Sequence, residues 1–538
     1  MTPSPEPVNL PLKSTNQSTF LHLCLALSFA NLAFYRVWQI YLSPENDYFR
    51  ATVPRLILGA VIADVLLLAL VIFVIFRLVI RAPGKAARVM EWLLFVAVIV
   101  FGPQRLYAIQ FIDGHLNRVG ALWYLALALM VAVLFALWPD KGKRFAAAAL
   151  LILSPFVLFT ISQAAWKIVA PTPATMKAKA PAPRFDGNPR RRVVWIVFDE
   201  MDYTMAFEKR PSNLQLPEFD RLRSESWFAT NALPPADATL VSMPALITGL
   251  PLTWAHPVVG NEIELQVDGS PGLVRLTSQS TVFTDAHSRN LNSALIGWYH
   301  HYCRVIGDQL ATCADAGHRL DETGGCSDCA PTFVQAMGDS ALCLLPYHTD
   351  EMVAYRDHWF QESGIRSFNR LRKAAASAVS DRNLGLVLVH LPVPHYPFIY
   401  SREQQAFIHH RGSYLDNLAL ADETLGELRR AMEQSGVWEN TALIITADHW
   451  WRYNLYAKNH QLSGDPAIYG LRVPLIVHLP GSRSQTPYTK PVNNRLLREA
   501  AVALLDNPEW TPSDFSAWVD ASRRRYPRDF IAHNYSNY

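Results

Sequence analysis

Three apolar stretches of this 538-residue sequence end in side chains that can bind a metal ion. They are "RRVVWIVFDEMD" (191–202), "LGLVLVHLPVPHYPF" (384–398) and "TALIITADHW" (441–450), and their apolar runs predict buried parallel strands. Open α/β sheets place their ligands at the carboxyl ends of such strands. Oxygen and nitrogen ligands from several strand ends suit a divalent metal such as zinc or manganese. The residues at these ends are Asp199, Glu200, His390, His395, Asp448 and His449.

A second feature that could do chemistry is the segment "ADATLVSMPALITG" (236–249), a small-residue turn followed by a proline-broken apolar run. A strand or loop that feeds a helix is where hydrolases and transferases of several folds place a nucleophile. The local pattern does not choose among the hydroxyls. The candidates are Thr230, Thr239, Ser242 and Thr248.

The segment between two of the predicted strands indicates a helix. Residues 414–436 carry apolar side chains at helical spacing, and Gly436 is the predicted stop. Strands that end in ligand-type residues, together with such a helix, predict an α/β fold.

These pieces, in their order and approximate spacing, resemble the sulfatase-like branch of the alkaline phosphatase superfamily. The resemblance covers most of residues 191–481 and rests on "VVWIVFDE", "TLVSMPALITG", "VHLPVPHYPF", "NTALIITADHW" and "GLRVPLIVHLPG". It implies an enzyme with a central mixed sheet flanked by helices. It also implies a divalent metal cofactor, zinc or manganese, with calcium as a further alternative.

The resemblance also selects a nucleophile. In this superfamily the nucleophile lies nine residues before the threonine of a Thr-Gly pair, and counting back from Thr248-Gly249 reaches Thr239, with Ser242 as the rival. Sulfatases proper have a cysteine or serine that matures to an aldehyde, followed by a pattern that ends in arginine. "TLVSM" contains neither cysteine nor arginine, and threonine cannot form that aldehyde, so ordinary sulfatase chemistry is disfavoured.

Roles for the remaining site residues are likewise implied by the resemblance. Asp199-Glu200 matches neither the Asp-Asp of sulfatases nor the Gly-Glu of phospholipid-dependent transferases, so which acid is the principal ligand stays open. His395 lies in a His-x-Pro motif that contacts the phosphate or the leaving group, and His460 in "AKNHQ" lies at about the spacing of a second active-site histidine. The implied catalytic residues are Thr239, His395 and His460, and the implied metal ligands are Asp199, Glu200, Thr239, Asp448 and His449.

The segments that are expected to anchor this domain in a membrane precede it in the sequence. Charged residues make up only 18% of the chain, and the apolar excess lies almost entirely before residue 170. The basic loops 81–88 and 140–144 predict a cytoplasmic N-terminus and, after an odd number of crossings, an extracytoplasmic catalytic domain. The predicted membrane helices are roughly 18–42, 53–80, 89–108, 119–138 and 145–169.

The predicted domains are a five-helix transmembrane domain (1–170), a linker rich in proline, alanine and lysine (171–190), and a catalytic domain (191–538). Five cysteines of the catalytic domain predict two disulfides with one thiol left over, or else half of a zinc site. "LIGWYHHYCR" (295–304) predicts an apolar strand with an aromatic end, or alternatively a substrate-facing wall. These cysteines are Cys303, Cys313, Cys326, Cys329 and Cys343.

Membrane helices, a linker and this domain together resemble the lipoteichoic acid synthases and the lipid A phosphoethanolamine transferases. The resemblance implies a multi-pass protein of the cytoplasmic membrane, with a phospholipid donor and an envelope glycan or lipid as acceptor. A Thr239 alkoxide would attack phosphorus and leave a phospho-threonine that the acceptor hydroxyl resolves. The alternative is a tethered hydrolase of sulfate or phosphate esters. The sequence contains no basic stripe with interleaved aromatic residues that would suggest nucleic-acid binding.

Overall fold

The computed structural model describes residues 15–42, 48, 50, 53–81, 139–173, 177–187, 189–258, 261–317, 332–342, 344, 350–409, 412–452, 471–527 and 531. The helices are α1 Thr15–Ala33, α2 Tyr35–Leu42, α3 Arg55–Arg81, α4 Pro139–Val169, α5 Pro217–Ser224, α6 Thr239–Thr248, α7 Val282–His287, α8 Tyr302–Val305, α9 Phe333–Leu342, α10 Asp350–Ser380, α11 Tyr414–Gln434, α12 Leu497–Asp506 and α13 Pro512–Ser522. The strands are β1 Arg192–Phe198, β2 Trp227–Ala229, β3 Ala232–Leu233, β4 Leu252–Val258, β5 Glu262–Val267, β6 Leu273–Arg275, β7 Asn292–Tyr299, β8 Thr312–Gly317, β9 Leu384–Leu391, β10 Tyr400–Ser401, β11 Ala406–Phe407, β12 Thr441–Ala447, β13 Leu475–His478, β14 Thr486–Tyr488 and β15 Val492–Asn493.

The chain divides into two compact units, and each unit combines segments that are distant in sequence. The first comprises Met1–Ser43, Val53–Pro171 and Ala330–Thr349. The second comprises Pro44–Thr52, Thr172–Cys329 and Asp350–Tyr538. The predicted domain boundaries at residues 170 and 190 stay a prediction.

Among its described residues, the first unit contains two helices that are long and apolar enough to cross a membrane. The spans are Arg55–Leu78 in α3 and Ala147–Val169 in α4. Both helices carry large apolar side chains on their outer surfaces, such as Leu158, which is 73% exposed, and Leu70, which is 57% exposed. Helix α9 belongs to the same unit, and its Ser340 hydroxyl donates a hydrogen bond to the buried Asp64 carboxylate of α3.

In the part of the chain that the structure describes, two of the five predicted helices, 53–80 and 145–169, contain candidate membrane spans. The segment 18–42 is helical but is divided at Phe34 into α1 and α2, and its apolar helix Thr19–Ala33 is too short to count as a span. Helical hydrogen bonds continue across the division, from Phe34 N to Ala30 O (3.2 Å) and from Trp38 N to Phe34 O (2.9 Å). The segments 89–108 and 119–138 lie outside the described residues, so the five-helix bundle stays a prediction.

A mixed eight-stranded sheet forms the centre of the second unit, in the order β14-β2-β13-β12-β1-β9-β7-β8. β1 pairs in parallel with β12 and β9, and β7 pairs in parallel with β9 and β8. β13 runs antiparallel to β12 and β2. The predicted α/β fold with a central mixed sheet is therefore confirmed.

Helices cover both faces of this sheet because its central strands are apolar on both sides. Successive residues of β1 alternate between two cores: Val194 and Ile196 pack on one face, and Val193 and Trp195 on the other. Helices α10 and α11 supply the first face, while α6, α12 and α13 supply the second. A capping box begins α11, and Gly436 lies just beyond its end with a φ of 72°, as the sequence predicted.

One disulfide joins the described cysteines of this unit. Cys303, just after β7, is bonded to Cys313 in β8. Cys326, Cys329 and Cys343 lie outside the described residues, so the second predicted disulfide stays a prediction.

Candidate metal and nucleophile site

The ends of the three predicted strands meet at one edge of the sheet. Phe198 of β1 lies in register with Ala447 of β12 and with Leu391 of β9. The residues that follow Phe198 and Ala447, Asp199 and Asp448, are therefore brought side by side by strand pairing, although they are far apart in sequence. Both carboxylates are fully buried.

Asp199, Asp448 and His449 form a group that could hold a metal ion, because one ligand atom of each lies within 4.8 Å of the others. His449 Nε2 lies 3.5 Å from Asp199 Oδ1 and 3.6 Å from Asp448 Oδ2. No described group donates a hydrogen bond to either of these carboxylate oxygens. Buried carboxylate oxygens without a donor are costly unless a cation neutralises them, so these residues fit a divalent metal.

Hydrogen bonds to the imidazoles turn their free nitrogens toward this group. His449 Nδ1 donates to the Trp450 carbonyl (2.9 Å), which leaves the lone pair of Nε2 facing the carboxylates. His390 repeats the arrangement: its Nδ1 donates to Trp298 O (3.0 Å), and its Nε2 lies 3.6 Å from Asp199 Oδ2. His390 was not among the predicted ligands. Its position near the end of a buried strand was the sequence feature that could have identified it as a candidate.

The electrostatics of the group also favour a cation. Burial raises the pKa of Asp199 well above its usual range, and the neighbouring Glu200 carboxylate raises it further. Burial, followed by the charge of Asp199, raises the pKa of Asp448 to about 7. Burial lowers the pKa of His449 well below its usual range, and the charge of Arg452 acts in the same direction. A bound dication stabilises ionised carboxylates and neutral imidazole, which is the set of ligand states that binding requires.

Thr239 is the hydroxyl that lies at this group. It is the first residue of α6, and its Oγ1 lies 3.4 Å from Asp199 Oδ2 and 3.3 Å from His449 Nε2. A helix N-terminus favours negative charge, which suits an alkoxide and a phosphate.

The three other candidate hydroxyls bind backbone carbonyls instead. Ser242 donates to Ala236 O (3.1 Å), Thr248 to Pro244 O (2.6 Å) and Thr230 to Tyr488 O (3.5 Å). The geometry thus supports Thr239 over Ser242, and its role as nucleophile stays a prediction.

Glu200 faces a different partner from Asp199. Its φ of 66° turns the chain direction sharply, and its Oε1 accepts hydrogen bonds from Arg452 N and Arg452 Nε, both at 3.1 Å. The Glu200 amide donates to Asp448 Oδ1 (3.1 Å). Of the two acids that the sequence left open, the geometry favours Asp199 as the ligand and gives Glu200 a supporting position.

His395 lies beside this supporting pair. Its Nδ1 donates to the Tyr396 carbonyl, and its Nε2 accepts from Arg452 Nη2 (3.3 Å). Burial, followed by the charge of Arg452, lowers the pKa of His395 to about 3, so the imidazole is neutral. Arg452 was not predicted, and a basic residue soon after Asp448-His449 was the only local signal for it. His460 lies outside the described residues.

The aromatic end of β7 packs against the same histidine. Trp298 is buried, and its ring centroid lies 5.2 Å from that of His395. This agrees with the prediction of an apolar strand with an aromatic end.

Residues 347–505 match the family model described as Sulfatase. The matched range contains His395, Asp448 and His449, while Asp199 and Thr239 precede it. The resemblance to the sulfatase-like branch of the alkaline phosphatase superfamily is therefore confirmed, and the chain is an enzyme of the sulfatase-like type.

Solved structures of that superfamily are similar to this chain at low identity. A phosphonate monoester hydrolase of Agrobacterium radiobacter is 12% identical over 59% of this chain and 74% of its own, with a TM-score of 0.38. A lipoteichoic acid synthase from Listeria monocytogenes is 12% identical over 61% and 75%, with a TM-score of 0.36. An alkaline phosphatase superfamily protein from Vibrio parahaemolyticus is 13% identical over 60% and 68%, with a TM-score of 0.34. Identities and TM-scores this low define no reaction for this chain. A search of curated protein sequences finds no match.

Proposed function

We propose that this protein is a membrane-anchored, metal-dependent transferase that moves a phospho-headgroup from a lipid to an envelope acceptor. The headgroup is of the phosphoethanolamine or phosphoglycerol type, and the intermediate is phospho-Thr239. The observation that carries the proposal is the position of Thr239 Oγ1 beside Asp199 and His449 at the start of α6. Threonine cannot become the aldehyde of sulfatases, but it can form and release a phosphate ester.

The proposed roles follow from the contacts. Asp199, Asp448 and His449 would hold a divalent ion, with zinc or manganese best suited to this mixture of oxygen and nitrogen ligands. When bound, the ion lowers the pKa of the attacking hydroxyl and neutralises charge on the phosphate. His395 and Arg452 border the group and present a neutral imidazole and a guanidinium, which suits them to contact the phosphate or the leaving oxygen.

The proposed reaction has two steps. Thr239 Oγ1 forms a bond to phosphorus as the bond from phosphorus to the lipid oxygen breaks, and the proton lost by Thr239 ends on the diacylglycerol hydroxyl. The acceptor oxygen then forms a bond to the same phosphorus as the bond from phosphorus to Thr239 Oγ1 breaks, and the proton lost by the acceptor hydroxyl returns to Thr239. Positioning and charge neutralisation carry most of the catalysis in such transfers.

A place in the cytoplasmic membrane with an extracytoplasmic catalytic domain belongs to the same proposal. The spans Arg55–Leu78 and Ala147–Val169 and their exposed apolar side chains support an embedded first unit. The basic segments 81–88 and 140–144, the second of which forms the start of α4, favour the cytoplasmic side. A lipid donor requires an enzyme at the bilayer surface, because the scissile phosphate lies in the headgroup layer.

A tethered hydrolase of sulfate or phosphate esters is the second candidate. The family match, which is to Sulfatase, favours it. The two functions share the nucleophile and the metal group, and they differ in whether water or an envelope hydroxyl resolves the intermediate.

The test uses full-length protein in vesicles that contain phosphatidylethanolamine or phosphatidylglycerol with labelled headgroups. Transfer predicts diacylglycerol release, label on an added glycan or lipid acceptor, and, by mass spectrometry, a peptide covering residues 236–249 that carries the phospho-headgroup. The Thr239→Ala variant should lose all three signals, and Ser242→Ala, the matched hydroxyl control, should keep them. Labelled headgroup released only into water would support the hydrolase. Phosphorylation of the peptide at Ser242 would refute the proposed nucleophile.

A further inference from the structure

Helix α9 lies in the first unit, although Thr239 precedes it in the sequence and Asp448 follows it. Ala330–Thr349 belongs to this unit, while the residues immediately before and after the segment belong to the second unit. The segment carries little charge. Asp339 is its single aspartate, glutamate, lysine or arginine, and it is only 9% exposed.

Helix α9 packs along the first half of α3. Ala336 is 2% exposed and lies in the same hydrophobic cluster as side chains of α3. The Phe333 ring passes Gly59, where a Cβ atom would lie 3.5 Å from its Cε2. Further along α9, the Ser340 hydroxyl donates a hydrogen bond to the buried Asp64 carboxylate. The two helices therefore run in the same direction.

This half of α3 lies at the end from which the chain continues to the catalytic unit. Arg55 Nη2, at the start of α3, donates to Ala170 O (2.8 Å) just beyond the end of α4, and the second unit resumes at Thr172. At a rise of about 1.5 Å per residue, Gly59 lies about 6 Å and Asp64 about 14 Å along the axis from Arg55. The hydrocarbon core of a bilayer is about 30 Å thick, so α9 covers the depth of one leaflet beside a span that begins at Arg55.

The side of α9 that faces away from α3 is apolar. Val334 is 76% exposed and Phe333 is 43% exposed, and they lie beside a candidate span whose own outer side chains, such as Leu70, are exposed as well. Two uncharged residues form a capping box at the start of the helix: Gln335 N donates to Thr332 Oγ1 (3.3 Å), and Thr332 N donates to Gln335 Oε1 (2.9 Å). Lipid acyl chains are the partner that fits this surface.

We propose that Ala330–Thr349 is a re-entrant segment that inserts α9 into the membrane leaflet on the catalytic side. Phe333 and Val334 contact lipid acyl chains there. The hydrogen bond between Ser340 and Asp64 holds the helix at this depth, where water cannot satisfy either group. The inference rests on the proposed membrane placement of the first unit. It gives the catalytic half of the chain a second attachment to the membrane, besides the linker.

The test is carbene labelling of the wild-type, full-length protein in vesicles of phosphatidylethanolamine and phosphatidylglycerol, with the labelled residues assigned by mass spectrometry. One reagent is an apolar diazirine dissolved in the bilayer, and the other is a charged, water-soluble diazirine. Leu158 of α4 is the lipid control, and Leu273 of β6, which is 50% exposed in the second unit, is the water control. The ratio of apolar to water-soluble label at Val334 should match that at Leu158 and exceed that at Leu273 about tenfold or more.

Three other results are possible, and each overturns the inference. Water-soluble label on Val334 with apolar label on Leu158 would place α9 in water and leave the membrane placement of the first unit intact. Protection of Val334 from both reagents would mean that another part of the protein covers this surface, and the predicted helices 89–108 and 119–138 are the candidates. Water-soluble label on both Val334 and Leu158 would refute the embedded first unit of the proposed function itself.

Two variants test the lipid contact without disturbing the packing of α9, because Val334 is largely exposed. Val334→Asp places a carboxylate against hydrocarbon and should lower apolar labelling of the peptide that contains α9 about tenfold or more, with labelling of Leu158 unchanged. Val334→Leu is the matched control and should keep the wild-type labelling. Unchanged apolar labelling of this peptide in Val334→Asp would contradict the contact with lipid.

Discussion

Replacing Thr239 by alanine is the most direct test of the site, and the structure limits what the change costs in stability. The Thr239 hydroxyl lies 3.4 Å from Asp199 and 3.3 Å from His449, which are long distances, so losing these contacts costs at most about 1 kcal/mol. The N-cap of α6 is Ala238, so Thr239 makes no capping bond that could be lost. The buried methyl group adds about 0.8 kcal/mol. The free energy of unfolding should therefore fall by about 2 kcal/mol.

The expected effect on turnover is much larger. Removing an activated nucleophile lowers kcat by about 10⁴-fold or more, which corresponds to about 5.5 kcal/mol of transition-state stabilisation. Thr239→Ser keeps the oxygen and loses only the methyl group, so its kcat should stay within about tenfold of the wild type. The catalytic and structural effects of the two substitutions can thus be separated.

The assay is hydrolysis of p-nitrophenyl phosphate by the full-length enzyme in detergent with added zinc or manganese, together with the thermal midpoint of each variant. Ser242→Ala is the control, because it removes a buried hydroxyl from the same helix and one hydrogen bond to Ala236 O. It should cost about 1 kcal/mol of stability and leave kcat nearly unchanged. The reasoning fails if Thr239→Ala keeps a tenth or more of wild-type turnover, or if Ser242→Ala is inactive at an unchanged melting temperature.

Three further predictions test the surroundings of the nucleophile and the stability of the fold. EDTA should lower the thermal midpoint, because an ion at about 100 times its Kd stabilises the folded state by about 2.7 kcal/mol. Added zinc or manganese should restore the midpoint in the wild type but not in Asp448→Asn. A midpoint that changes with neither chelator nor metal would argue against the site. Arg452→Gln removes the guanidinium that donates to buried Glu200, and it should lower kcat on p-nitrophenyl phosphate about 10- to 100-fold. Arg452→Lys should be less affected. A wild-type kcat in both variants would contradict the supporting role of the Glu200–Arg452 pair. Burial lowers the pKa of His478 from 6.5 to about 4, so the unfolded chain binds more protons than the folded chain between these pH values. The free energy of unfolding should therefore fall by up to about 3 kcal/mol as pH drops from 6.5 to 4. Thermal melts of His478→Gln should depend less on pH over this range, and the same pH dependence as the wild type would refute the lowered pKa of His478.

Features that depend on residues close together in the sequence were predictable from the sequence. The apolar runs of β1, β9 and β12 end at residues with metal-binding side chains, so their convergence followed from the rule that parallel strands share their carboxyl ends. The helix Tyr414–Gln434 followed from its apolar spacing and from the glycine at 436. The resemblance to the sulfatase-like branch depended on the same local segments, and the family model matches residues 347–505, which overlap the second half of that region.

Tertiary structure alone decided which of these side chains face one another. The Glu200–Arg452 pair and the Tyr48–His300 hydrogen bond each join residues 252 positions apart, and no local pattern encodes such a partner. The positive φ of Glu200 directs the carboxylates of two adjacent acids to different partners, so only the folded chain distinguishes Asp199 from Glu200. Tyr48 and Arg50 are buried in the second unit because burying Tyr48 and satisfying Arg304 stabilise them there, irrespective of their place in the sequence.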